Sequence, residues 1–178
     1  GLVASFIFYR ALPFISSQWF YKTDRIGMVG EYNPSSLPLS VQMLISHGLT
    51  SVLPDGKAIG DLSLSWEATN SAKTFIFTLK KDITLSNGKK LIASDVNYNI
   101  RGVTFVPSDD HTLVAHLQYP YSPFPTLVSK PIILSGLRGF GEYKVQSISL
   151  LGGAVRSIQL EPTSGKNTSK SITFYRTE

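Results

Sequence analysis

A strict alternation of apolar and polar residues is the most regular pattern along the chain, and it is typical of half-buried β-strands. Three stretches show it, with these apolar members: Leu62, Leu64 and Trp66; Phe75, Phe77 and Leu79; Leu113, Ala115 and Leu117. The first two stretches are separated only by the short segment 69–73, so we predict that they pair as neighbouring strands. The third stretch follows a polar turn at 108–110 and predicts another strand of the same kind.

Shorter apolar stretches bounded by turn residues predict the remaining strands. These are a buried strand at 25–32 that ends at Asn33-Pro34, a hairpin of 143–150 and 154–160 around Gly152-Gly153, and a last strand at 172–175. Two further turns are predicted. One is Pro54-Asp55-Gly56, where proline presets φ and glycine tolerates a positive φ, and the other is Asn87-Gly88.

Only two helices are indicated, and both are short. Four apolar residues at helical spacing form one face of the first helix: Leu37, Val41, Leu44 and Ile45. Ser35 or Ser36 is the expected N-cap, Pro38 lies in the first turn, and Gly48 follows as the C′ residue. Ser94 is the expected N-cap of a second helix that runs to about residue 100. The predicted fold class is therefore α+β, a strand-dominated mixed sheet with a few short helices.

The composition describes one globular unit. Of the 178 residues, 42% are hydrophobic and 16% are charged, which excludes a disordered chain. The net charge of +5 invites a nucleic-acid partner, but the basic residues are scattered singly or in pairs such as Lys80-Lys81 and Lys89-Lys90. No run of four or more lysines and arginines occurs, so we predict no nucleic-acid partner.

The first twenty residues, GLVASFIFYRALPFISSQWF, are nearly all apolar. Arg10 and Pro13 interrupt them, which leaves the stretch short of the ~20 uninterrupted apolar residues of a membrane span. Three interpretations stay open: the end of an anchor, a short interfacial segment, or a strand and helix packed in the core. An aromatic cluster at 19–21 followed by basic residues is typical of a membrane interface. We therefore divide the chain into an apolar segment at 1–24, predicted as a truncated anchor or juxtamembrane stretch, and a domain at 25–178.

Little in the sequence supports catalysis or metal binding. The chain has no cysteine, and its three histidines, His47, His111 and His116, form no HExxH motif. No G-x-S-x-G occurs, and Gly139 and Gly141 form a G-x-G that lacks the third glycine of a dinucleotide motif. We therefore predict a protein that is not an enzyme, with no catalytic residue, no metal site and no cofactor.

Between residues 44 and 100, six short elements follow one another in a specific order. They are a helix ending in Gly48-Leu49, the Asp55-Gly56 turn, a strand at 62–67, a strand at 73–81, the Asn87-Gly88 turn, and a helix start at 93–96. This order and spacing resemble the opening region of extracellular solute-binding proteins that capture peptides or nickel complexes for ABC importers. Two later stretches agree with the same family: DHTLVAHLQYPYSPF at 110–124 and GFGEYK at 139–144.

The chain also departs from the family pattern. Asn87 stands where the family has Asp, and Glu142 stands where it has Pro. The long insertion that follows the second helix is cut to residues 101–108, and the helical stretch before GFGEYK is shortened. Glu178 lies near the point where family members pass into their second lobe, so the resemblance implies the first lobe only.

The resemblance implies lobe I of a class II periplasmic-binding-protein-like fold and non-covalent capture of a solute. In this family an extended peptide lies like an added strand and is clamped by closure of two lobes. The matching ligand-facing positions are the end of the first strand and the later glycine turn: Glu31, Tyr32, Asn33, Gly139, Gly141 and Tyr143. The implied partners are an oligopeptide or other small solute, the second lobe of the same protein and an ABC transporter permease. The implied location is extracytoplasmic, periplasmic or at the cell surface, with membrane anchoring through the N-terminal segment.

Two alternatives remain open. Tyr32 and Tyr143 fit equally well as core residues with a satisfied hydroxyl. The shortened insertions and the unusual N-terminus also fit a one-lobe, membrane-associated interaction or scaffold module without transport function.

Overall fold

The computed structural model describes residues 22–85, 87–164 and 168–176, and these form a strand-dominated α+β fold. The strands are β1 (Lys22–Val29), β2 (Thr50–Val52), β3 (Ala58–Gly60), β4 (Ser63–Thr69), β5 (Thr74–Leu79), β6 (Val103–Pro107), β7 (Thr112–Leu117), β8 (Tyr143–Leu151), β9 (Ala154–Pro162) and β10 (Thr168–Tyr175). The helices are α1 (Leu39–Ile45) and α2 (Phe124–Leu127), with a 3₁₀ turn at Ala93–Asp95. The predicted fold class is confirmed. The predicted segment at 1–24 lies outside the described residues except for its last three, which begin β1.

One four-stranded sheet, called the antiparallel sheet below, has the order β4-β5-β7-β6. The residues predicted to face inward from β5 and β7 are buried: Phe75, Phe77, Leu79, Leu113, Ala115 and Leu117. Strand β4 differs from its prediction, because its register shifts between Ser63 and Ser65. This bulge leaves Leu64 67% exposed, although the alternation predicted that it faces the core. Strand β6 forms within the segment 101–108, for which the sequence predicted no element.

The other four-stranded sheet, called the mixed sheet below, has the order β1-β10-β9-β8. Strand β1 is parallel to β10 and the remaining neighbours are antiparallel, so the first and last strands of the described chain lie side by side. The predicted buried strand at 25–32 is wrong in its position and its burial, since β1 runs from Lys22 to Val29 at an edge. Val29 is 64% exposed, because it alternates with Ile26 and Met28, which pack against core two, and so lies on the opposite face of the sheet.

The turns predicted from glycine are confirmed. Gly56 and Gly88 close tight turns with φ of +84° and +81°, a conformation that side chains rarely tolerate. The Gly152-Gly153 pair joins β8 to β9, as the hairpin prediction requires.

Helix α1 forms where it was predicted, but its N-terminus differs. Val41 and Ile45 are buried on the predicted apolar face. The N-cap is Pro38, which therefore precedes the first turn, and no side chain caps the helix. Ser35 and Ser36 do not take the predicted capping role, because both hydrogen-bond within the preceding turn instead.

The predicted C′ role of Gly48 is also wrong. The helix ends at Ser46, which is extended. A Cβ on Gly48 would lie 2.5 Å from the carbonyl group of Ser129. Glycine is therefore required here by close packing of two backbone segments and not by a positive φ.

The second predicted helix is reduced to the 3₁₀ turn Ala93–Asp95. Its N-cap is Ile92 and not Ser94. The Asp95 carboxylate accepts a hydrogen bond from the Ile92 N–H at 3.2 Å, and Val96 is already extended. The predicted N-cap therefore lies two residues after the observed one, and the chain is extended at Val96 instead of helical.

Each sheet covers its own hydrophobic core. Core one lies against the antiparallel sheet and is rich in aromatic rings, with the centroids of Phe75 and Phe124 5.0 Å apart. Core two lies between the mixed sheet and α1 and is mostly aliphatic, with Ile158 and Ile172 almost fully buried. The fold is therefore built on two adjacent cores.

The two cores meet at what we call the seam, formed by residues 45–49 and by the segment 139–141 that packs on them. Ile45 belongs to core two and Leu49 to core one. Ser46 is fully buried; its Oγ donates to the Ile132 carbonyl and accepts from the Phe140 N–H. These bonds tie the later part of the chain to the end of α1.

In the part of the chain that the structure describes, no helix is long and apolar enough to cross a membrane.

Candidate functional site

The predicted ligand-facing residues after β1 lie on a segment that is fixed to the mixed sheet. The Gly30 N–H donates to the Tyr175 carbonyl at 2.9 Å, and the Val155 N–H donates to the Tyr32 carbonyl at 2.7 Å. The Tyr32 ring packs against Phe174 with centroids 5.3 Å apart. Tyr32 thus joins core two, which is the alternative that the sequence left open for it.

Asn33 shapes the turn that follows. Its side-chain oxygen accepts from the Ser35 N–H at 3.0 Å and from the Ser35 hydroxyl at 2.7 Å. The Asn33 carbonyl accepts from the Ser36 N–H at 3.0 Å. These bonds make Asn33 an Asx-turn residue. Its side-chain oxygen already accepts two hydrogen bonds from Ser35.

Glu31 forms a two-pronged ion pair with Arg176, just beyond the end of β10. The two carboxylate oxygens lie 3.1 and 3.2 Å from guanidinium nitrogens. Both side chains are more than half exposed, at 57% for Glu31 and 56% for Arg176. Solvent screening limits such a pair to at most about 1 kcal/mol, so it is easily exchanged.

A small cavity of about 20 Å³ lies beside this ion pair. It is lined by Gly30, Glu31, Leu151, Ala154, Val155, Arg156, Phe174 and Arg176. Arg156 of β9 and Arg176, which follows β10, therefore line the same cavity as one carboxylate.

Gly139 and Gly141 allow a close approach of two backbone segments at the seam. A Cβ on Gly139 would lie 2.3 Å from the Ile45 carbonyl oxygen, and a Cβ on Gly141 would lie 2.5 Å from the Ile45 carbonyl carbon. The Gly141 N–H donates to that same carbonyl at 2.8 Å. The lack of a side chain at both positions is therefore explained by contact with the end of α1.

Tyr143 is buried in core two, and it begins β8. The Nζ of Lys170 lies 5.3 Å from the centre of its ring and 3.4 Å from a carboxylate oxygen of Asp24. This environment matches the core interpretation that the sequence left open.

The six predicted residues do not share one cavity. Glu31 lines the arginine cavity, Gly141 lines a different one, and Tyr32 and Tyr143 pack in core two. Their contact with a ligand stays a prediction.

A second concave surface is a groove of about 760 Å³. Three segments line it: the turn after Asn33, residues 97–100, and residues 130–137. Its apolar walls are Pro34, Leu37, Ile100, Leu127, Pro131, Ile132, Ile133, Leu134 and Leu137, and its amide side chains are Gln42, Asn97 and Asn99. Lys130 is the one charged residue among the described lining residues.

Tyr98 holds two walls of this groove together. Its hydroxyl accepts from the Leu49 N–H at 3.0 Å and lies 2.8 Å from the Val128 carbonyl and 3.0 Å from the Lys130 carbonyl. Burial raises the pKa of Tyr98, so the hydroxyl stays protonated and its one proton is shared between these two carbonyls. The segment that carries Lys130 is thereby anchored to core one.

The sequence did not single out the groove residues, although it gave one indication of them. The groove lies next to the two places where the chain is shorter than the family pattern, before 101–108 and before 139–144. Such shortening uncovers whatever the missing segments would pack against. Apolar residues at 130–137 carry no motif of their own, so only this shortening pointed to them.

A third cavity, of about 260 Å³, adjoins Gly141 and is lined by His47 and Glu142 among others. His47 Nδ1 lies 3.1 Å from a carboxylate oxygen of Asp61. This hydrogen bond raises the pKa of His47 above 6.5, with a smaller contribution of the same sign from Glu142, while partial burial and Lys80 oppose the rise. Among the residues described, no group of three or more histidine, aspartate or glutamate side chains is arranged to hold a metal ion.

No family model matches the chain. The nickel-binding periplasmic protein of Escherichia coli (strain K12) is 32% identical over 101 residues, which cover 56% of this chain and 19% of that protein. The chain thus spans about a fifth of the length of the curated relative that it matches.

Solved structures match over most of the chain. NikZ from Campylobacter jejuni in complex with Ni(L-His) has a TM-score of 0.69 and 17% identity, over 87% of this chain and 39% of its own. The oligopeptide-binding protein AppA from Bacillus subtilis in complex with a nonapeptide has a TM-score of 0.66 and 13% identity, over 86% and 40%. OppA from Burkholderia pseudomallei has a TM-score of 0.67 and 14% identity, over 88% and 42%. The resemblance seen in the sequence is therefore confirmed: this chain carries the fold of a portion of the solute-binding proteins of the peptide and nickel class.

Proposed function

We propose that the chain is the first-lobe part of an extracytoplasmic solute-binding protein that captures peptides without covalent chemistry and delivers them to the permease of an ABC importer. The observation that carries this proposal is the likeness in fold, over most of the chain, to proteins whose structures hold a nonapeptide or a nickel–histidine complex. A relative by sequence is a periplasmic binding protein, which supports an extracytoplasmic location. Solute-binding proteins act by binding and release, so no enzymatic activity is proposed.

The groove suits a peptide better than a bare ion. Its described lining residues include no histidine, aspartate or glutamate, so recognition there rests on apolar contact and on amide hydrogen bonds. Asn97 and Asn99 can each donate to a peptide carbonyl and accept from a peptide N–H. Lys130 adds one positive charge, which favours a peptide that carries a carboxylate nearby.

The groove is open along one side, and in this class of protein the second lobe supplies the opposite wall when the hinge closes. A one-sided groove buries only part of a ligand. We therefore expect the 178-residue chain alone to bind peptides weakly, with a dissociation constant above about 100 µM. Anchoring to a membrane through residues 1–24 stays a prediction.

A titration of the ¹⁵N-labelled chain with trileucine tests this proposal. We expect fast-exchange chemical-shift changes at Asn97, Asn99 and Ile133, with smaller changes for triglycine because it lacks apolar side chains. Leu127→Glu should weaken trileucine binding by about tenfold, because it places a charge in an apolar wall. Leu64→Glu is the matched control, since Leu64 is also exposed and lies outside the groove.

Two outcomes would contradict the proposal. Sub-micromolar trileucine binding by the 178-residue chain would show that no second wall is needed. No shift in the groove at about 10 mM peptide would remove the peptide function and favour the scaffold alternative.

A further inference from the structure

Two arginine side chains line the small cavity at the end of the mixed sheet. Arg156 comes from β9, and Arg176 follows β10. A guanidinium presents its N–H donors in a planar fork that matches a carboxylate, so two forks at one cavity form an anion-binding arrangement. Such a pair is not required for packing, because both side chains are exposed.

The charge in this cavity is only partly balanced. Arg176 is paired with Glu31, whereas no carboxylate among the described residues lies within 4.0 Å of Arg156. The three residues therefore leave one positive charge uncompensated. Because the Glu31–Arg176 pair is exposed, an incoming anion can take the Arg176 fork from Glu31 at little cost.

The backbone around the cavity is held in place. The Gly30 N–H donates to the Tyr175 carbonyl, and the Val155 N–H donates to the Tyr32 carbonyl. Phe174 forms a buried wall. These contacts fix the strand ends that carry the arginines, so little backbone ordering is needed when a ligand binds.

The cavity is small. Its volume of about 20 Å³ exceeds only slightly the ~10–15 Å³ that a single water needs. A guanidinium fork matches a planar carboxylate, and the one uncompensated positive charge matches the single negative charge of that group. Fork geometry and charge therefore favour a carboxylate.

We propose that Arg156 and Arg176 bind a carboxylate group, with Glu31 as the internal competitor that occupies Arg176 in its absence. This inference rests on the proposed function for the role of the site. The arginine cavity shares no described lining residue with the groove, so we propose it as a separate contact for solutes that carry a carboxylate. In this proposal Glu31, which the sequence predicted to face the ligand, is the group that the ligand displaces from Arg176.

The test uses the 178-residue chain and two probes that differ only in charge, N-acetylglycine and N-acetylglycinamide. The arginine Nε–Hε resonances are followed by NMR. We expect the acid, and not the amide, to shift the Arg156 and Arg176 resonances. Arg156→Gln should weaken acid binding about tenfold or more, as expected for the loss of a charge-assisted hydrogen-bond pair.

Glu31→Gln separates this proposal from a merely structural role, because its expected effect has the opposite sign. Removing the competitor should tighten binding of N-acetylglycine by about threefold. Arg101→Gln is the control for net charge, since Arg101 is exposed and lies outside the cavity. Inorganic phosphate is titrated in parallel, and the proposal expects it to bind more weakly than the acid.

The proposal is overturned if acid and amide shift the arginines equally, if Arg101→Gln weakens binding as much as Arg156→Gln, or if phosphate binds more tightly. Its failure can be told apart from failure of the proposed function. Trileucine binding in the groove without a carboxylate response at Arg156 would remove this inference alone. A carboxylate response without any peptide binding in the groove would leave the anion site and remove the peptide function.

Discussion

The two cores of this protein are built in different ways. Core one draws on residues from Leu49 to Phe140, and its sheet is built from four strands that follow one another along the chain, β4 to β7, although β5 pairs with β7 and not with β6. Core two needs β1 and β10, which come from opposite ends of the described chain. Core one is therefore specified largely by local sequence patterns. Core two depends on a long-range strand pairing that no local sequence pattern predicts.

The two candidate binding surfaces also differ in which core they adjoin. The groove is lined by members of both cores, such as Tyr98 of core one and Leu37 of core two. The arginine cavity lies on the mixed sheet alone. The groove should therefore respond to changes at the seam, and the arginine cavity should not.

The largest effect is expected from Phe77→Ala in core one. Phe77 is fully buried and contacts the rings of Trp66, Phe75 and Phe124, so its removal should cost about 3–5 kcal/mol of unfolding free energy. Urea unfolding and amide hydrogen exchange check this, with protection lost first in the antiparallel sheet. Equal loss of protection in both sheets would show that the two cores unfold as one unit. It would contradict the distinction drawn between them.

A smaller effect is expected from Gly141→Ala at the seam. The added Cβ would meet the backbone of Leu44 and Ile45 at 2.5–2.7 Å, and relieving this overlap should cost about 1–3 kcal/mol. Trileucine-induced shifts in the groove should weaken, while N-acetylglycine should still shift Arg156. Gly27→Ala is the matched control, because its Cβ would meet only the Tyr175 side chain, at 3.2 Å. An unchanged groove response in Gly141→Ala would argue against coupling through the seam.

The smallest effect is expected from pH, through His47 at the seam. Its folded-state pKa lies above 6.5 because of the hydrogen bond to Asp61, so protonated His47 stabilises the fold. This contribution is complete below pH 6.5 and is lost as pH rises through the folded-state pKa. Because the His47 side chain is 36% exposed, we expect less than about 1 kcal/mol.

Urea unfolding at pH 5.5 and pH 8 measures this term. We compare the unfolding free energy at pH 5.5 with that at pH 8 for each chain. The gain in stability at the lower pH should be larger in the wild type than in Asp61→Asn. His116→Gln is the control, since His116 is exposed and lies in β7, away from the seam. The same pH response in wild type and Asp61→Asn would exclude the pair as its source.

Two strands of the antiparallel sheet were predictable, since alternation alone placed the buried residues of β5 and β7, whereas β6 was not predicted. The bulge at Ser63 was not, because a register shift follows from pairing geometry and leaves no mark in the apolar pattern. The edge position of β1 was missed for a related reason: its apolar residues suited burial, but burial depends on which strands lie beside it.

The candidate sites show the same limit. Gly139 and Gly141 were singled out as ligand-facing positions, which stays a prediction; the sequence did not indicate that both glycines also pack closely against the backbone at the end of α1. Arg156 and Arg176 were not singled out at all, since 20 residues separate them in the sequence and only the sheet brings them to one cavity. Tertiary placement, and not residue type, decided each of these cases.

The parallel pairing of β1 with β10 also sets an order in time. Asp24 and Lys170 form an ion pair although 146 residues separate them along the chain. During synthesis the antiparallel sheet can form as soon as Leu117 has been added to the chain. In contrast, β10 is synthesised on the order of ten seconds after β1, so β1 has no partner strand until then. Through that interval the apolar side chains of β1 and α1, such as Ile26 and Val41, have no sheet to cover them, so these two early segments are the ones that stay open to aggregation longest.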